Sequence, residues 1–91
     1  MLTFVSIERI RDSRDFGAII RKARRARGFS QIELASRANL SRSGLQKIEE
    51  GRGSPSIETA MRLLRTLSLD LGLLTRGNPF VEPDEKTRHA D

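Results

Sequence analysis

Arg42, Ser43, Gln46 and Lys47 fall at i, i+1, i+4 and i+5, a spacing that sets four polar side chains along one side of a helix. The chemistry open to them is hydrogen bonding. A planar guanidinium makes paired bonds to two neighbouring acceptors, as on a guanine edge or a phosphate, and glutamine or lysine can reach an adjacent acceptor. On an isolated helix such a face is usually only solvated, so its meaning depends on its surroundings. Covalent and metal chemistry have little to work with. The chain of 91 residues has no Cys and a single His, His89, near its end. Thiolate zinc sites, cysteine nucleophiles, disulfides, triads and multi-His metal sites are therefore excluded, and His89 reads as an ordinary solvated residue. Glu49 and Glu50 are adjacent acids, but helical neighbours point about 100° apart and cannot flank one substrate atom. With no nucleotide loop, the expectation is no enzyme, no cofactor and no metal.

The charge suggests what the polar face meets. Fourteen Arg and three Lys stand against twelve acids, for a net charge of +5. Residues 77–91 carry Glu82, Asp84, Glu85 and Asp91 against Lys86 and Arg88, a net of −2, so residues 1–76 hold +7. A basic, arginine-rich body ends in a short acidic tail. Such a field suits phosphate, and nucleic acid is its natural partner, although a membrane surface or an acidic protein also fits. The tail acids read as solubility groups. No apolar run approaches the roughly 18 residues of a membrane span and no signal peptide opens the chain, so a cytoplasmic protein with no membrane contact is expected. A core built from 36% hydrophobic residues is small, and oligomerisation would support it.

The elements that would position the polar face are short. Residues 1–11 form an arm, as a short strand or ordered lead-in. Asp12 or Ser13 can cap a first helix, Asp15 favours its first turn, and Phe16, Ile19, Ile20 and Ala23 mark its inner face. Arg21, Lys22, Arg24, Arg25 and Arg27 complement the negative end of that helix, which Gly28 closes. Ser30 and Glu33 make a capping box for a second helix, with Ile32, Leu34, Ala35 and Ala38 as its apolar positions. Asn39 supplies a turn, and Ser41 caps a third helix in which Leu45 and Ile48 point inward and Gly51 ends the run. Gly44 within it predicts close packing on the second helix. Gly53, Ser54 and Pro55 form a loop, and Ser56 caps a fourth helix with Ile57, Ala60, Leu63, Leu64 and Leu67 inward. Residues 69–75 alternate, with Leu69, Leu71 and Leu73 on one face, which predicts a strand. A lone strand leaves its backbone groups unpaired, so its expected partner is the same strand of a second copy, or residues 2–5. The expected fold is thus an all-α helix-turn-helix domain of four to five short helices over residues 12–68. A dimerisation β-strand, 69–75, follows and pairs across a homodimer, then a flexible acidic tail, 76–91.

The stretch 30–51, SQIELASRANLSRSGLQKIEEG, resembles the XRE, or lambda-repressor-like, family of DNA-binding domains. The matching positions are Ser30-Gln31, Leu34-Ala35, Leu40-Ser41, Leu45, Ile48-Glu49 and Gly51, with Asn39 standing where the family usually has Gly. Within that frame the third helix is the one that enters the major groove. Arg42 and Ser43, then Gln46 and Lys47, are its base-reading positions, and Arg42 is the candidate for guanine. The resemblance implies that Gln31 bonds a backbone phosphate and braces the recognition helix. Ser30 and Ser41 at helix starts, and Arg52, Ser54 and Ser56 beside the fourth helix, are further phosphate candidates, which position without specifying sequence. Arg24 and Glu49 both flank the core, and the family pairs an arginine and a glutamate across helices one and three at these positions, so they read as a structural ion pair.

A single strand after the helices, a short arm and a short tail look like HipB-type antitoxins. That resemblance implies a homodimeric, DNA-binding transcriptional repressor that represses its own operon through a palindromic operator. It also implies a HipA-like serine/threonine kinase toxin as partner, in a type II toxin-antitoxin module. A stand-alone XRE-family repressor without a toxin shares every DNA-facing residue and is the main alternative. A protein-interaction module that has lost DNA binding would show acidic or apolar outer positions on the third helix, and Arg42 and Lys47 argue against it.

Overall fold

Every helix begins on a side-chain oxygen and ends on a left-handed residue, and these punctuation marks position the site. The computed structural model describes residues 7–73. It contains α1 (Ser13–Ala26), α2 (Gln31–Arg37), α3 (Arg42–Glu49) and α4 (Ile57–Thr66). Asp12 caps α1 by accepting from the Asp15 amide at 2.9 Å. Ser30 caps α2 in a full capping box with Glu33, both bonds measuring 3.0 Å. The bond that Glu33 accepts from the Ser30 backbone holds its carboxyl below the ordinary value. Ser41 accepts from the Gly44 amide at 3.0 Å and Ser56 from the Thr59 amide at 3.1 Å.

The four C-terminal ends share one geometry. Gly28, Asn39, Gly51 and Ser68 take positive φ of 74°, 57°, 74° and 58°. The next residue in each case sends its amide back five residues: Phe29 to Arg24, Leu40 to Ala35, Arg52 to Lys47 and Leu69 to Leu64. This is the Schellman closure, which satisfies orphan carbonyls and turns a following apolar side chain into the core. Phe29, Leu40 and Leu69 do so. Arg37 and Arg27 cover the Phe29 ring, 4.7 and 5.9 Å from its centre.

The core comprises Phe16 and Ile20 of α1, the α2 residues Leu34 and Ala35 with Ala38 just beyond, Leu45 and Ile48 of α3, and Leu63, Leu64 and Leu67 at the end of α4. Arginines tie helix ends together, Arg62 donating to the Ala38 carbonyl at 2.6 Å and Arg27 to the Leu67 carbonyl at 3.3 Å. Two apolar positions expected inside are outside. Ile32 is 64% exposed and Ile57 is 76% exposed. Ile32 is two residues from Leu34, so about 200° separates them round the helix and only one can face the core. Ile57 has the phase of Ala60 and Leu64 but sits in the first turn of α4, where it borders an open groove with Ile10, Pro55 and Ala60.

The expected strand requires a correction at its start. Among the described residues there is no strand, and 69–73 carry no backbone ladder. Leu69 is committed to closing α4, while Leu71 and Leu73 are exposed. A strand needs a partner row of amides and carbonyls, and the described part of one chain offers none. Residues 74 and 75, the tail 76–91 and residues 1–6 of the arm lie outside the described residues. The remainder of the arm, 7–11, is irregular, and Glu8 pairs there with Lys22 at 2.9 Å. No helix among the described residues is long and apolar enough to cross a membrane.

Candidate nucleic-acid interface

α3 presents its polar residues as one continuous surface. At about 100° per residue, Arg42, Gln46, Ser43 and Lys47 follow one another round an arc of about 140°. All four are exposed; Leu45 and Ile48 are buried on the far side, and Glu49, two turns on from Arg42, is buried at the Arg42 edge of the arc. Around them, Gln46 contacts the Glu50 carboxylate at 3.4 Å, and Ser43 lies 3.4 Å from the Ser41 hydroxyl. Gly44 does not pack on α2. A methyl group there would meet only the Ser41 hydroxyl, at 3.0 Å, so this glycine leaves room for the cap.

Two grooves border this arc. On the Arg42 side, a groove of 460 Å³ is lined by Arg21, Arg24 and Arg25 from α1, Ser30 and Gln31 at the start of α2, and Arg42 itself. On the Lys47 side, a groove of 340 Å³ is lined by Gly44, Lys47 and the loop from Arg52 to Pro55. A basic helix face with cationic channels along both edges matches the layout of a duplex groove, whose base edges are flanked by two phosphate strands.

At the Arg42 edge of α3, Glu49 gathers three helices. Its side chain is wholly buried, with Arg24 donating from Nε to Oε2 at 2.6 Å and from Nη2 to Oε1 at 3.1 Å. Gln31 Nε2 donates to the same Oε1 at 3.1 Å, and Arg21 Nε stands 3.6 Å from it. Arg24 Nη1 also donates to the Phe29 carbonyl at 2.9 Å, tying the α1–α2 turn into the network. Burial alone would raise the Glu49 carboxyl, but the hydrogen bonds from Arg24 and Gln31 and the charges of Arg24 and Arg21 outweigh it and hold the group below its ordinary value.

The other candidate residues divide by what already occupies them. Ser30 and Ser41 spend their oxygens on caps, and Ser56 additionally donates to the Thr59 hydroxyl at 3.0 Å. Ser54 lies 3.2 Å from the Ser13 hydroxyl, and Arg52 pairs with Glu50 at 2.7 Å. Gln31 is turned towards Glu49 with one of its two amide hydrogens, which leaves the second for the adjoining groove. Two residues of this region, Arg21 and Arg25, are expected from the sequence only to complement the helix dipole, yet both line the groove. Their i, i+4 spacing was the available signal that both share one face. Among the described residues, no group of three or more His, Cys, Asp or Glu could hold a metal ion.

Comparison with known proteins places this geometry. The Helix-turn-helix family model matches residues 20–74. The ImmF control region 10 kDa protein of Bacillus phage phi105 is 36% identical over 63 residues, covering 69% of this chain and 70% of that protein. The restriction-modification controller protein C.AhdI from Aeromonas hydrophila superposes with a TM-score of 0.61 at 31% identity, over 64% of this chain and 88% of that one. A chain of the HipA-HipB-O2-O3 complex superposes with a TM-score of 0.68 at 18% identity, over 77% of this chain and 99% of that one, a likeness of fold. The protein therefore belongs to the helix-turn-helix family of DNA-binding transcriptional regulators, of the XRE or lambda-repressor-like type.

Proposed function

We propose that this protein is a sequence-specific repressor that binds a palindromic operator as a homodimer, with α3 in the major groove. The observation that carries this reading is the exposed arc of Arg42, Gln46, Ser43 and Lys47 with a cationic groove at each edge. Arg42 reads guanine, and Ser43, Gln46 and Lys47 read its neighbours. Gln31, Arg52 and Ser54, with the helix starts that Ser30, Ser41 and Ser56 cap, hold the phosphates on either side. Arg24 and Glu49 take no part in contacting DNA and tie α3 to α1. Two copies related by a two-fold axis meet half-sites about 34 Å apart, and footprinting on selected duplexes should show two protected half-sites at that spacing. A single protected half-site bound by a monomer would defeat the dimeric reading. Replacing Arg42 by alanine is expected to cost about 1–3 kcal/mol of binding, concentrated at one base position. Equal loss on all sequences would make Arg42 a phosphate contact instead.

The second reading is a HipB-like antitoxin that neutralises a HipA-like serine/threonine kinase and represses its own operon. What favours it is the extent of the superposition, which reaches 77% of this chain for the HipA-HipB-O2-O3 complex against 64% for C.AhdI. In this reading the expected dimerisation strand of 69–75 forms beyond Leu69, which stays in the α4 closure, and Leu71 and Leu73 pair with the same segment of the second copy. Purification of the tagged protein from its native host separates the two. A stoichiometric companion of kinase size supports the antitoxin, and a homodimer carrying only DNA leaves a repressor without a toxin.

A further inference from the structure

The arginine-lined groove holds more charge than the fold uses. Of its four guanidinium groups, that of Arg24 is satisfied by both Glu49 oxygens and the Phe29 carbonyl. The single negative charge of Glu49 is therefore matched. Arg21, Arg25 and Arg42 remain around the same opening, and among the described residues neither Arg25 nor Arg42 forms an ion pair. The Arg21 side chain is 41% exposed, yet its Nε is buried without a hydrogen-bond partner, 3.6 Å from a carboxylate oxygen already accepting from Arg24 and Gln31. The helix dipole does not account for this cluster. Its pull is confined to the last turn, which includes Arg25 but ends short of Arg21. Like charges at i, i+4 also weaken a helix. Three guanidinium groups line this groove with only a share of the Glu49 carboxylate, through Arg21, between them, and that excess calls for an anion from outside.

From this we infer that Arg21 and Arg25 bind the phosphodiester backbone of DNA, making α1 a contacting element beside α2 and α3. The inference rests on the reading of α3 as the groove-entering helix. The groove includes Gln31 and Arg42, so the strand bordering the bases read by Arg42 runs along it. Arg21 and Arg25, one helical turn apart on α1, grip successive parts of that strand from the side opposite Arg42. Because these are backbone contacts, they raise affinity for every sequence and add to the salt dependence without altering base preference.

The test is the salt slope of binding to a selected duplex and to a mixed-sequence duplex, for the parent, Arg21→Gln/Arg25→Gln and Arg21→Lys/Arg25→Lys. The glutamine variant should lower the magnitude of the slope by about 1.8 per bound copy and weaken both duplexes by the same factor. The lysine variant should keep the parent slope. Arg21 adjoins Glu49, so thermal melting of each variant accompanies the titration. Should the double variant fail to fold, Arg25→Gln alone decides, with an expected slope change of about 0.9 and an unchanged melt. A glutamine variant with the parent slope overturns the α1 contact while leaving the α3 reading intact. A parent that binds neither duplex overturns both.

Discussion

Replacing Arg24 by alanine is expected to destabilise the domain by about 3–5 kcal/mol, because it leaves the buried Glu49 carboxylate with one hydrogen bond, from Gln31, and an Arg21 contact that makes none. Folded domains of this size hold only roughly 5–10 kcal/mol in reserve, so the variant should be largely unfolded on mild warming. Urea denaturation followed by circular dichroism measures the loss. Replacing both partners, Arg24→Met with Glu49→Leu, should cost much less than the sum of the single changes, since no buried charge is then left alone. Additive losses would mean that the two side chains act independently and that the 2.6 Å contact contributes nothing of its own. The pair also sets a pH signature. The Glu49 carboxyl lies below its ordinary value of 4.5 in the folded state, so its contribution is complete above that value and is lost as pH falls through the lower folded one. Acid titration of Glu49→Gln should lack that component of unfolding while retaining whatever the other carboxylates supply.

This network links stability to recognition through position. Glu49 lies at the end of α3, beside the Arg42 edge of the exposed arc, and its partners are on α1 and α2. Loosening it should let α3 rotate or withdraw relative to Gln31 and Arg21. Operator affinity would then fall even though Arg24 and Glu49 meet no base.

What the residues alone revealed follows from how local each signal is. The capping serines and Asp12 were legible because a side-chain oxygen beside an apolar run has one efficient use. The inner face of α1, and that of α4 beyond its first turn, are legible from spacing, and Arg24 with Glu49 from their flanking positions and the family resemblance. Signals that depend on a distant neighbour were not. The end of α4 carries no such mark in the sequence, because Ser68, rather than glycine or asparagine, adopts the left-handed turn, and Leu69 has the pattern of a first strand residue although it closes the helix. Ile32 looked inward by its chemistry, although Leu34 already claimed that face. The excess of Arg21 and Arg25 was absorbed by a dipole argument that needed only α1, whereas their setting is made jointly with α2 and α3.

Gly17 shows this limit most clearly and carries the second large effect. On α1 alone it is a poor helix former, and propensity predicts that alanine would stabilise the domain by up to about 1 kcal/mol. The structure reverses the sign. Gly17 is buried where α1 crosses the last turn of α3, and a methyl group there would overlap the Ile48 carbonyl and come within 2.9 Å of the Glu49 carbonyl. Both obstacles are backbone, so no rotamer change relieves them and the helices must part. Gly17→Ala is therefore expected to cost about 3 kcal/mol net, at the upper end of overpacking penalties. Separation of α1 from α3 would also draw Arg24 off Glu49, so the loss should be non-additive with Arg24→Ala. Denaturation of the two single variants and the double variant decides the matter, and a Gly17→Ala protein more stable than the parent would refute the close crossing. Ala18, exposed one position along, supplies the contrast. Ala18→Gly should lose about 1 kcal/mol, as propensity alone dictates.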